Sequence, residues 1–138
     1  MAVGFTPATV ALVPLASPKR VYDSRAGQPP ANVVKGVLAS GLDRDVDIKN
    51  NASGVPATAR AVVGNVTVTN TTSGGFVDIR PAGTAWAGTS TVNFSSTGQT
   101  VANAFTATLG PNATVTVRCG GASNASTDFI IDVVGYYV

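Results

Sequence analysis

Apolar and polar residues alternate with a period of two along much of this chain. From Ala61 to Thr69, Val62, Gly64, Val66 and Val68 fall on one face, while Asn65, Thr67 and Thr69 fall on the other. That is the pattern of a half-buried strand. Phe76 to Arg80 repeats it with Val77 and Ile79 inward, and Ala113 to Cys119 with Val115, Val117 and Cys119 inward. Thr100 to Leu109 puts Val101, Phe105, Ala107 and Leu109 on one side. Asp128 to Val138 differs, because Phe129, Ile130, Ile131, Val133 and Val134 leave almost no polar face; a strand covered on both sides is expected there.

Turn residues separate these runs at short intervals, as in Ser73-Gly74-Gly75, Pro81-Ala82-Gly83, Ser96-Thr97-Gly98, Gly110-Pro111-Asn112 and Gly120-Gly121. No window repeats apolar residues at helical spacing over three turns, and Gly, Pro and β-branched residues interrupt every candidate. The expected fold is therefore all-β, a single-domain β-sandwich resembling a jelly roll, with strand order undetermined. Asn51 to Arg60 reads as a loop or one short helical turn. Residues 1–18 are expected to form an extended N-terminal arm, kept extended by Pro7, Pro14 and Pro18, ahead of a sandwich domain over 19–138. Pro7 and Pro14, and the lack of a basic leading stretch, argue against a signal peptide over Met1 to Ser17.

Composition narrows the chemistry. The chain has 138 residues, enough for one domain at roughly 100 to 200 residues each. It contains no histidine and no glutamate, and 12% of its residues are charged. Acid–base catalysis near neutral pH leans on His or a tuned Glu, and zinc sites on Cys and His clusters. With one cysteine, neither arrangement can be assembled. The net charge of +2 comes from scattered basic residues with no stripe, so no nucleic-acid partner is expected. No apolar run reaches the length of about 18 residues that spans a bilayer, so no membrane partner is expected either.

Motif by motif, the chain reads as non-catalytic. It has no Gly-x-Ser-x-Gly elbow and no phosphate-cradling glycine loop. Asp23-Ser24-Arg25 places an arginine where an aspartic protease needs glycine, and Arg25 would hold Asp23 ionised. Asp43, Asp45 and Asp47 open like a calcium loop, but Ile48 stands at the glycine position and Gly54 at that of the bidentate acid. A strand with Val46 and Ile48 inward explains them better. Six Asn-x-Ser/Thr triplets, at Asn51, Asn65, Asn70, Asn93, Asn112 and Asn124, fit polar strand faces. No metal or cofactor is expected.

Two residues stand out. Asp132 lies between Ile131 and Val133 in the most apolar strand, and a buried carboxylate needs a partner. Arg25 or Arg20 could supply a bidentate pair, so Arg25, Asp132 and Asp23 are candidates for a structural ion pair. Trp86, in a loop of small residues from Gly83 to Gly88, is a candidate ligand or partner contact, or else folds back to cap the sandwich. Cys119, on an inward strand face, is expected to be an inert core thiol.

Several blocks in order carry a resemblance: Arg20-Val21-Tyr22-Asp23-Ser24-Arg25; Gly54-Val55-Pro56-Ala57; Val62-Val63-Gly64-Asn65-Val66-Thr67-Val68-Thr69-Asn70; Pro81-Ala82-Gly83; Gly98-Gln99-Thr100-Val101-Ala102-Asn103; and Ile131-Asp132-Val133-Val134-Gly135-Tyr136-Tyr137. By these blocks the chain resembles a β-rich domain that recurs in secreted and cell-surface proteins of actinobacteria and related bacteria. The resemblance covers nearly everything after Lys19 and implies a β-sandwich accessory module without catalytic residues to carry over. Here the module starts at Met1 without an export signal, which suits a bacteriophage virion, assembled inside the host and released by lysis. The expected function is that of a virion surface protein, a capsid decoration or minor structural component. Its arm, through Phe5, Val10, Leu12, Val13 and Leu15, docks on capsid or tail proteins. Decoration proteins of that kind are more often trimers than not, so a homotrimer is expected. The alternatives are a secreted cell-wall or carbohydrate-binding module and a tail receptor-binding protein, with a host-surface glycan as partner.

Overall fold

The computed structural model describes residues 9–138. Among the described residues nine strands follow one another: β1 (Leu12–Asp23), β2 (Leu38–Ala39), β3 (Asp43–Asp47), β4 (Ala61–Thr72), β5 (Gly75–Pro81), β6 (Val92–Phe94), β7 (Val101–Thr108), β8 (Thr114–Gly121) and β9 (Ser126–Tyr137). Among the described residues the one helical element is a 3-10 turn, Pro111–Ala113. Asn51 to Arg60 holds turns and bends without a helical turn.

The strands form two antiparallel sheets. The first runs β1-β9-β4-β7, with β2 beside β9, and the second runs β3-β8-β5-β6. Leaving β2 aside, and apart from the consecutive pair β5 and β6, neighbours in each sheet come from distant parts of the chain in jelly-roll order. The expected β-sandwich is therefore the fold that forms. Its interior is built by the alternation read from sequence: Val62, Val66 and Val68 from β4, Val77 from β5, Val115, Val117 and Cys119 from β8, and Phe129, Ile131 and Val133 from β9 are buried. Transfer of each fully buried Val, Ile or Phe contributes about 1.5–3 kcal/mol. An exposed ion pair contributes ~0–1 kcal/mol, so the interior decides stability.

Two features depart from the expectations. First, β1 begins at Leu12, seven residues before the expected start of the sandwich. Leu12, Val13 and Pro14 pair with Tyr137, Tyr136 and Gly135, and Leu15 packs against the core. The prolines do keep this segment extended, but β1 is an edge strand, where a missing N–H is tolerated. Its register on β9 shifts between Pro14 and Lys19. Phe5 lies outside the described residues.

Second, β9 is covered on both sides only over its first half. Asp128 and Ile130 are buried, whereas Asp132 is partly exposed and Val134 exposed on the same outer side. A register shift between β4 and β9 at Val63 and Gly64 then turns Tyr136 towards the core. Gly64 makes the close approach possible, because a Cβ there would lie 2.4 Å from the Asp132 carbonyl oxygen and 3.0 Å from the Phe105 ring.

Candidate functional site

Polar chemistry collects in two places outside the interior. The first is the outer side of the first sheet, where the expected ion pair lies. Arg20, not Arg25, holds Asp132, with Nε 2.8 Å from Oδ1 and Nη2 3.1 Å from Oδ2. Arg20 and Asp132 face each other across β1 and β9, which gives the bidentate geometry its reach. Arg25 turns back on Asp23 instead, donating from Nε at 3.0 Å and Nη2 at 2.8 Å. Its backbone N–H also donates to Asp23. Burial raises the Asp23 pKa, but the bonds and charges of Arg25, aided by Arg20, outweigh it and leave the carboxyl below its ordinary range.

The more buried carboxylate of β9 is Asp128, which sequence reasoning passed over. It is 8% exposed, accepts from Ser24 Oγ at 2.6 Å and Asn70 Nδ2 at 2.9 Å, and so ties the end of β1 to β4. Period two from Asp132 through Ile130 to Asp128 was the available signal. These groups satisfy one another and leave little for a ligand. Cys119 is fully buried, and burial pushes its thiol pKa up to about 11.

The second place is the outer side of the second sheet. Here β3, β8 and β5 lay Asp43, Arg118 and Asp78 side by side in register. Asp43 accepts from Arg80 Nη2 at 3.0 Å and from Arg118 Nη1 at 3.3 Å. Burial raises its pKa, and the two arginines more than reverse that, holding it below the usual carboxylate value. Asp45 accepts from Thr116, and Asp47 pairs with Lys49. The three aspartates thus face outward from a strand, as the alternation of Val46 and Ile48 predicts, Asp43 and Asp47 in ion pairs and Asp45 on a threonine hydroxyl. Among the described residues no group of three Asp or Cys could hold a metal ion.

Trp86 sits over this face. Phe76 lies across Gly120, where a Cβ would be 2.3 Å from the ring, and Trp86 stacks on Phe76 with centroids 5.5 Å apart. Arg118 places its guanidinium 4.9 Å from the Trp86 ring centre. The indole therefore folds back on the outer face of a sheet and does not cap the core, yet it stays 37% exposed. Loop residues 82–91 carry it. Arg80 Nε donates to the Thr84 carbonyl at 2.8 Å, and Thr89 Oγ1 donates to Asp78 Oδ1 at 2.7 Å. Among the described residues, Asp78 Oδ2 and Arg80 Nη1 are the two buried side-chain polar atoms without a hydrogen-bond partner.

A shallow cavity of about 280 Å³ lies elsewhere, lined by Tyr22, Asn32, Val33, Val34, Asp45 and Asn50. Its amides are already paired, Asn32 and Asn50 exchanging bonds of 3.0 and 3.2 Å. Among the described residues, unpaired polar atoms, an exposed indole and opposed charges coincide only beneath the 82–91 loop, which makes that face the stronger candidate. No protein-family profile matches the chain, and no curated protein is significantly similar to it in sequence.

Proposed function

We propose that this protein is a non-enzymatic structural and interaction module that docks by one end of its first sheet and presents the second sheet outward. The observation that carries this reading is the group of exposed apolar side chains where the chain ends meet. Val10, Leu12, Val134 and Val138 are all exposed there, around the ladder that joins β1 to the end of β9. Large apolar side chains grouped on a surface mark an interface. That the aspartates are engaged with internal donors supports a role without acid–base chemistry.

The setting we propose is a bacteriophage virion, with the module on the particle surface as a capsid decoration or minor structural protein, self-associating as a trimer. Jelly-roll order is shared by capsid subunits and lectins. That analogy is compatible with a particle and with a glycan-binding module and chooses neither. A carbohydrate-binding module is the second reading, favoured by the half-exposed Trp86.

The test pairs location with surface change. The native protein is expected in the purified particle fraction, and a Leu12→Asp, Val134→Asp double variant is expected to leave it while unfolding at nearly the native temperature. Native protein recovered in the cell-wall fraction of a bacterium, or a double variant that stays on the particle, would overturn the particle reading.

A further inference from the structure

The face beneath the 82–91 loop has properties that a purely structural patch lacks. Asp78 is 3% exposed, yet only one of its oxygens is used. Arg80, two residues along on the same side of β5, uses Nε and Nη2 and leaves Nη1 idle. One strand face thus offers a buried acceptor and a buried donor, each costing the fold stability until something pairs with it. Beside them stand Phe76 and the exposed part of Trp86.

The charges limit what could pair with both groups. An anion meets Asp78, a cation meets Arg80 and Arg118, and an apolar group satisfies neither. A hydroxyl both donates and accepts, so neighbouring hydroxyls on one ring can serve the carboxylate and the guanidinium together. An aromatic wall with a few convergent polar groups is the usual make-up of such a site. We infer that the outer face of β5 and β8, under Trp86, binds a neutral polyhydroxylated ring, a pyranose or furanose unit of a surface glycan. This inference goes with the glycan-binding reading and is independent of docking through the chain ends.

The loop supplies the access. Residues 83–90 are exposed, and its two glycines, Gly83 and Gly88, have φ of +84° and +83° with open space on the side where a Cβ would stand. Its side-chain hydrogen bonds to the sheet are Thr89 Oγ1 to Asp78, Arg80 Nε to the Thr84 carbonyl, Thr84 Oγ1 to the Pro81 carbonyl and the Ile79 N–H to Thr91 Oγ1; ring hydroxyls can replace the first two. Exchanging the bonds of Thr89 to Asp78 and of Arg80 to Thr84 opens the way to Asp78 and Arg80 and leaves β5 and the Phe76–Trp86 stack in place.

Trp86 is the single tryptophan of the chain, so its emission reports this site alone. The intact protein is titrated with methyl glycosides of glucose, galactose, mannose and arabinose, then with soluble galactan and arabinan. We expect a saturable change in emission, with a dissociation constant on the order of 1 mM for a single ring. Binding to the polymer is expected to be tighter. Asp78→Asn keeps the shape but replaces the idle acceptor with a donor, and is expected to weaken binding about tenfold with little change in unfolding temperature. Arg80→Lys gives a second variant at the same face, and Arg20→Gln, on the other sheet, should leave the titration unchanged. Absence of a saturable response to every probe, or unchanged affinity in both Asp78→Asn and Arg80→Lys, would overturn the inference. The Leu12→Asp, Val134→Asp variant separates the two claims, since it is expected to keep the sugar response while losing attachment.

Discussion

Asp23 shows how one side chain couples the fold to pH. It is fully buried, and three hydrogen bonds from Arg25 stabilise its charged form. With the native pKa below the ordinary 3.8, the unfolded chain binds the proton more readily. The stabilisation is therefore complete above about pH 4 and is lost as pH falls through the native value. Asp23→Asn is expected to lower stability by about 2 kcal/mol at pH 7, the scale of a charged hydrogen-bonded pair. In urea unfolding followed against pH, the gap between native and variant should close in acid; a gap independent of pH would contradict this account. The partnership of Asp23 with Arg25 was legible because the two stand two residues apart. That of Asp132 was legible only as a choice between Arg20 and Arg25, because it depends on how β1 lies in register beside β9, and short-range pattern does not carry that information.

At the scale of the element, alternation was the reliable guide. Every strand read from it formed with the expected side inward, because period two follows from the pleat itself. It misjudged β9 because an apolar run has no polar residues to mark where cover ends, and only neighbouring strands and loops decide that. Gly64 is a further case: in sequence it sits on the inward face of β4, and its need to be glycine comes from the shifted register on β9. Gly64→Ala puts a methyl against the Asp132 carbonyl, so overpacking is expected to cost ~1–3 kcal/mol. Because Asp132 is held by Arg20, the shift should also disturb that pair, visible as altered arginine side-chain NMR signals. A Gly64→Ala protein as stable as the native one would mean that the two backbones separate more easily than the close packing implies.

Across the whole molecule, the chain closes on itself by pairing its first and last strands. Such contacts are distant in sequence, which is why strand identity could be read locally while jelly-roll order could not. The same closure moves the boundary between arm and domain. Removing residues 1–18 would strip the Leu12–Pro14 ladder and the Leu15 contact from the sandwich, so it cannot separate docking from folding. Removing residues 1–11 takes away exposed Val10 but spares the ladder, and should leave the unfolding temperature nearly unchanged. Removing residues 1–20 also deletes Arg20, leaves Asp132 unpaired and bares one edge of β9. A fall of roughly 5–10 °C is expected, equivalent to ~2 kcal/mol for a domain of this size. Calorimetry on the two truncations checks this directly, because equal unfolding temperatures would mean that β1 contributes nothing before Val21 and that the boundary belongs near Lys19 after all.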